Sequence, residues 1–328
     1  MKSQQANVFI TPILFSVFAI GCLQFPSNQE QGSLSERALK ASFRLQYSQA
    51  DSLYLAASDS ASTEGNNDLV QRMMIARGEL LLGQGKFIEA KTLFLQLVSS
   101  VENENVTHHS LSLGNCYLAE IAIRTGAFFK ADNYLKECWY FMPSLEKDRI
   151  DIEPYYFHTL GFLHHQQAQF DQALEYYDIA VSKYSLDDTN RTLAYTNTLN
   201  NIGNVYYRMG LYDQAEDMHS DNVIVRSSFL PSNHPKIAGS IGNLGIVYFA
   251  KGQYNKALQY QFRSLDIWRN SGRIEDLSIA LTYDNIGQSY SASGDFVNAL
   301  SYLNKSLVIK SNYLSEHHPS KATTYCHL

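Results

Sequence analysis

The feature that most constrains this chain is a spacing. Four 21-residue stretches align without a gap: "FHTLGFLHHQQAQFDQALEYY" from Phe157, "LNNIGNVYYRMGLYDQAEDMH" from Leu199, "IGNLGIVYFAKGQYNKALQYQ" from Ile241 and "YDNIGQSYSASGDFVNALSYL" from Tyr283. Their first glycines, Gly161, Gly203, Gly245 and Gly287, stand 42 residues apart at every step. Two weaker copies lie upstream. One places Gly78, Gly85, Phe87 and Ala90 in the same template, the other Ala119, Gly126, Phe128 and Ala131. Before them, "LQYSQADSLYLAA" repeats the second half of the unit alone, set off by the polar stretch "SDSASTEGNND". Self-similarity at such a period means that each unit cannot bury its own apolar face and must stack on its neighbours.

Within a unit the pattern reads as two helices. Leu199, Ile202, Gly203 and Tyr206 recur at helical spacing, and the pattern restarts after Gly210 with Tyr212, Ala215 and His219. Two glycines inside one helix would each cost roughly 1 kcal/mol against alanine. Gly210 is better placed in a tight turn, where positive φ costs glycine nothing. Gly203 and Ala215 let two antiparallel helices approach, with Tyr206 and Tyr212 filling the space beside them.

The pattern apolar-Gly-x-x-Tyr, Gly-x-Tyr/Phe, x-x-Ala resembles the tetratricopeptide repeat, and the 42-residue period resembles the longer repeats of kinesin light chains and their bacterial relatives. "LNNIG", "IGNLG" and "YDNIG", with His234-Pro235 and His318-Pro319 two periods apart, carry that likeness. It covers residues 69–328, about six repeats and the start of another, and extends more weakly over a degenerate first repeat and polar loop at 34–68. The resemblance implies an all-α, right-handed superhelical solenoid of antiparallel helix pairs with a concave face lined by first helices. The additional residues of each unit are expected to lengthen the second helix and the connection after it. "HHPSKATTYCHL" reads as the start of a seventh first helix, so the chain is expected to be a piece of a longer protein or to fray at its end.

The first 22 residues do not fit the array. Lys2 precedes the apolar run "VFITPILFSVFAI" and then Gly21-Cys22, the order of an export signal. The run is shorter than the roughly 20 residues of a membrane span. "AIGC" resembles the lipobox of bacterial lipoproteins, which implies lipidation at Cys22; a plain secretory signal or an uncleaved anchor is the alternative. Residues 23–33 read as a linker. The expected location is the bacterial cell envelope, with membrane contact only through that lipid or anchor.

Chemistry is sparse. Net charge is −6 without a basic tract, so nucleic acid is not an expected partner. "GQGKF" at Gly83 lacks the phosphate-loop spacing, and the repeat register explains its glycines as a turn. No serine or cysteine sits in a nucleophile motif. His158, His164 and His165 lack a carboxylate at ligand spacing; His164 replaces the family tyrosine as a packed side chain, while His158 and His165 are expected to face the groove. Cys116, Cys138 and Cys326 match no zinc pattern. Cys116 and Cys138 are expected on neighbouring helices as buried thiols, a disulfide being the lesser alternative. No catalytic site, metal or cofactor is expected.

The groove is the candidate site. Asn197, Asn200, Asn201, Asn204 and Arg208 recur on one face of a first helix. Asparagine is a poor helix former, and its amide can both donate to and accept from a peptide backbone. In the resembled family the asparagine two residues before the glycine lines the concave face; here it is Asn201, Asn243 and Asn285, with Thr159 in its place one repeat earlier. The expected partner is a protein or extended peptide. Bonds between neighbouring repeats are the competing use of these amides, and both can hold together. The rival function is the sensory or regulatory region of a larger signalling protein or protease.

Overall fold

A computed structural model describes residues 33–43, 46–99, 106–143, 150, 152–184, 189–271, 277–316 and 318–328, with the backbone alone at 43 and at 189–192. Cys22 and the export-signal run lie outside the described residues. The described chain forms fifteen helices in antiparallel pairs. The first helices are α1 (Leu34–Phe43), α3 (Asn67–Gly83), α5 (His108–Arg124), α7 (Ile152–Gln166), α9 (Thr189–Arg208), α11 (Pro235–Ala250) and α13 (Leu277–Ala292). Their partners are α2 (Tyr47–Thr63), α4 (Phe87–Ser99), α6 (Phe128–Tyr140), α8 (Phe170–Lys183), α10 (Tyr212–Phe229), α12 (Tyr254–Asn270) and α14 (Phe296–Tyr313). The short α15 (Pro319–His327) follows. Each helix packs on its sequence neighbours, so the core is a series of local clusters and not one centre.

The repeat glycines divide into two kinds. Gly85, Gly126, Gly210, Gly252 and Gly294 end the first helices at φ between +72° and +87°, the left-handed conformation that satisfies the last carbonyls of a helix. The others sit where helices touch. A Cβ on Gly203 would lie 2.7 Å from the His219 ring, and one on Gly161 2.6 Å from the Tyr177 ring. Sixteen residues after the glycine, Phe94, Tyr177, His219, Gln261 or Leu303 fills the notch. The notch itself is therefore filled by a residue one turn past the repeat alanine and not by Tyr206 or Tyr212, while Tyr206 packs beside it against the core.

One unit breaks the turn rule. Ala168 occupies the turn position of Gly210, 42 residues earlier, at φ 60°. An L side chain there costs on the order of 1 kcal/mol. Ala168→Gly should raise stability by about that amount, less the added freedom of the unfolded chain, as an upward shift of the urea midpoint.

Other expectations meet detail the pattern could not supply. The first unit is a full pair, because α1 precedes α2, and "SDSAST" continues α2 to Thr63 instead of forming a loop. The second helices lengthen in the later units, from 13 residues in α4 and α6 to 18 in α10 and α14. His234 and His318 begin helices, each accepting at Nδ1 from the N–H two residues on. Cys116 and Cys138, both fully buried, form a disulfide with Cα atoms 5.4 Å apart, correcting the free-thiol expectation. The bridge pins α5 to α6 and closes a separation of 22 residues. On the chain-entropy account its reduction should cost about 3 kcal/mol, measurable as a fall in the denaturation midpoint with reductant that a Cys116→Ala/Cys138→Ala variant reproduces.

Candidate functional site

Successive first helices lie against one another along much of the array, as α5 does on α7 and α7 on α9, while second helices stand further apart. The first helices therefore line the inner face. Its side chains differ from end to end.

Toward the N-terminus, α1, α3 and α5 border an open hollow of about 920 Å³. Glu36, Asp68, Arg72, Glu79 and His108 border it, over an apolar floor that includes Met73 and Leu113. Asp68 pairs with Arg72 at 2.8 Å along α3. No pattern along the chain signals this hollow, because its lining comes from three repeats and from Pro143 and Ile150 outside the helices.

In the middle, aromatic rings and carboxylates alternate. Tyr117 stacks on Phe94 with centroids 4.8 Å apart and meets Tyr155 at 4.7 Å. The Tyr117 hydroxyl donates to Glu79 and the Tyr155 hydroxyl to Glu120. Burial, reinforced by those carboxylates, pushes both phenols well above their ordinary range. Burial alone would raise Glu120, but the Arg124 guanidinium beside it, with the Tyr155 hydroxyl, holds its carboxyl below the usual value. This ladder ties α3, α5 and α7 together.

His158 and His165 do not face an open groove, contrary to expectation. Both are buried, and His158 bonds Thr198 Oγ1 at 2.8 Å across to α9. His164 is packed on Tyr176 and bonds Gln169 at 2.6 Å. Among the described residues no cluster of histidine, cysteine and carboxylate side chains could hold a metal ion.

Toward the C-terminus, the asparagines are half-exposed but unequal in use. Asn243 Nδ2 donates to Asn200 Oδ1 at 2.9 Å, joining α11 to α9. Asn197 Oδ1 accepts from Arg226 Nη2 at 2.9 Å and Lys236 Nζ at 3.3 Å. Asn201 lies beside the buried Tyr177 phenol. Arg208 donates to the His165 carbonyl at 3.3 Å and lies over the Phe170 ring. Asn204 and Asn285 make no side-chain hydrogen bond among the described residues. Part of the stripe thus orders the stack, and part is left to meet something else.

Sequence reasoning missed a matched pair among the buried cations. Arg226 and Lys310, both near the ends of second helices, are 4% and 1% exposed. They stand 84 residues apart, two periods, and make matching bonds. Arg226 reaches the Lys236 carbonyl and Ser240 Oγ; Lys310 reaches the Ser320 carbonyl and Thr324 Oγ1. The His-Pro pair at the same double period was the available signal.

Residues 155–221, 195–270 and 233–311 match a model of the tetratricopeptide repeat. No protein of curated function matches the chain in sequence. Among solved structures, BtubC (BKLC) from P. vanneervenii aligns at 19% identity over 72% of this chain and 94% of that one, with a TM-score of 0.56. A Rap protein complexed with Competence and Sporulation Factor aligns at 13% identity over 85% and 75%, TM-score 0.61. The STAND protein with a tetratricopeptide repeat sensor from Pyrococcus horikoshii aligns at 15% identity over 93% of this chain and 50% of that one, TM-score 0.58. At these identities the likeness is one of fold.

Proposed function

We propose that the tetratricopeptide repeats of residues 155–311, with the helix pairs before them, form a protein-interaction scaffold. It holds a partner protein or an extended peptide along the inner face, by recognition and without turnover. The observation that carries this reading is the inner row of half-exposed amides, of which Asn204 and Asn285 have no bond within the described fold. An amide so placed can bond a guest backbone whatever its side chains. The Rap neighbour, a complex with Competence and Sporulation Factor, supports the same use of this architecture.

The test is positional. A photo-crosslinking residue at position 204 or 285 of the full chain should capture a guest from the native extract, whereas the same residue at position 217 or 259, on the second helices, should not. Equal capture from both sets would remove the assignment to the inner face.

A second reading is favoured by the STAND neighbour, of which this chain spans half. The array would then be the sensor of a larger signalling protein. A catalytic module encoded in frame after Leu328 would decide for it.

Export is part of the proposal. It is supported by the signal-like run ending at Cys22 and by the Cys116–Cys138 bridge, since disulfides persist in oxidising compartments. Mass spectrometry of the mature N-terminus tests it: a diacylated Cys22 fits a lipoprotein, and an unprocessed Met1 in a reduced chain overturns it.

A further inference from the structure

The hollow at the N-terminal end differs in chemistry from the amide row. The amides lie on α9, α11 and α13. The hollow lies among α1, α3 and α5, where α1 and α3 meet less closely than α5 and α7 do. Its volume of about 920 Å³ falls within the roughly 300–1,000 Å³ of small-molecule sites, which combine an apolar lining with a few polar groups. Met73 and Leu113 supply a buried apolar floor. Leu39 and Ile150 border the same hollow and remain exposed.

The charges around it are mostly of one sign. Among the described lining residues three carboxylates, Glu36, Asp68 and Glu79, stand with one guanidinium, Arg72, which Asp68 already pairs. The Glu36 carboxylate accepts from the Ser33 N–H at 3.1 Å and has no cationic partner among the described residues. Tyr54 is the second polar group. It is 4% exposed, yet its hydroxyl makes no hydrogen bond among the described residues. The Tyr177 and Tyr184 hydroxyls also lack one but are sealed from solvent; that of Tyr54 is not sealed, and Tyr54 borders the hollow. Burial, reinforced by Glu79, pushes this phenol up to about 12, so it stays protonated and its oxygen can still accept.

An anion entering here would meet like charge. A neutral apolar molecule would cover the floor and leave Glu36 without a counterion. A primary ammonium has three donors and no acceptor, so it suits carboxylate and phenol oxygens together. Its bonds to a carboxylate are charge-assisted, roughly twice as strong as neutral ones. We propose that the hollow is a binding site for a small organic ammonium compound. Glu36 and the Tyr54 hydroxyl bond the ammonium, Glu79 adds its charge, and the apolar body covers Met73, Leu113 and the exposed Leu39 and Ile150. The site is independent of the guest-binding reading.

Hexylamine is the probe, with 1-hexanol and hexanoate as its neutral and anionic counterparts. The full chain carrying ¹³C-methyl methionine reports binding at pH 7, because Met73 lines the hollow while Met209 and Met218 belong to α9–α10. Hexylamine should shift the Met73 methyl signal saturably at millimolar concentration and leave Met209 and Met218 in place. Hexanol should bind roughly tenfold more weakly, and hexanoate more weakly still. Glu36→Gln keeps an acceptor for the Ser33 N–H and should weaken hexylamine roughly tenfold without changing hexanol. Tyr54→Phe keeps the ring and removes a hydroxyl that holds nothing in the described fold. It should weaken hexylamine several-fold at an unchanged urea midpoint. No saturable shift, hexanol binding as tightly as hexylamine, or both variants binding hexylamine like the wild type would overturn the site. An acetylated, amidated Ala-Lys-Ala peptide tells a free amine from a lysine of a guest: binding as tight as that of hexylamine would overturn the assignment to a small molecule. Capture from positions 204 and 285 stands or falls apart from all of these results.

Discussion

Acidifying the protein from pH 7 to pH 5 should cost the fold about 4 kcal/mol through two histidines alone. Burial lowers His158 to a pKa of about 4, with Arg124 adding to the shift and Glu120 opposing it. Burial does the same to His219, again to about 4, helped by the Arg226 charge. Both are neutral in the native state, while in the unfolded chain they titrate near 6.5. Below that value the unfolded chain binds protons that the folded one refuses. Stability therefore falls as the pH drops from about 6.5 toward about 4, by about 1.4 kcal/mol per unit and per histidine. His165, lowered to about 4 by burial and Arg208, acts in the same direction. Urea midpoints at pH 7, 6 and 5 measure the effect. His219→Gln gives an internal control, since Gln261 fills the same notch against Gly245 one repeat later. That variant should keep the fold at pH 7 and lose about half of the two-histidine dependence. A midpoint unchanged between pH 7 and 5 would show that these imidazoles reach solvent.

The same notch explains why so much of the fold was legible. A helix pair that must approach closely needs a small residue on one side and a filler on the other, and the requirement returns every 42 residues. Gly161, Gly203, Gly245 and Gly287 announce it, and the turn glycines announce the ends of the first helices. Where the requirement is met by other means, the signal weakens. In the α5–α6 unit Ala119 replaces the glycine, and in the α7–α8 unit Ala168 takes the turn with φ 60°. α1 was missed because "LSERALKASF" carries neither the notch nor a turn glycine. "SDSAST" reads as loop because serine and aspartate have weak helix propensity, yet packing of Ala57 and Ala61 holds α2 together to Thr63.

The candidate site was legible only as residue types. The asparagine stripe is visible in the sequence, but whether an amide bonds its neighbour or a guest depends on what stands across the junction. Asn200 and Asn243 bond each other while Asn204 makes no side-chain hydrogen bond among the described residues, and no spacing along the chain records that difference. The N-terminal hollow joins residues from three repeats. The disulfide was open for a similar reason: a separation of 22 residues brings Cys116 and Cys138 side by side only once the helix pair has closed. Arg226 and Lys310 read as solvated charges at helix ends, where cations favourably meet the helix dipole. Their burial follows from the next first helix closing over them.

That burial sets the second large effect. Lys310→Ala should destabilise the α13–α15 junction by about 3–5 kcal/mol, because it leaves the Asp284 carboxylate buried without its cation. Lys310 donates to Asp284, to the Ser320 carbonyl at 2.9 Å and to Thr324 Oγ1 at 2.7 Å, so its three ammonium protons bind two neighbouring helices at once. The charge pair itself need not be a net gain, since desolvation offsets much of the attraction between buried ions. The chain contains its own comparison: one repeat earlier the two positions are Gly242 and Trp268, and that junction holds without a pair. Replacing both members, Asp284→Gly with Lys310→Trp, should therefore recover most of the loss, whereas Lys310→Trp alone should not. Hydrogen exchange of the α13 and α15 amides reads the junction directly. If the single and double variants lose protection equally, the penalty belongs to lost packing of the lysine stem and not to a stranded charge.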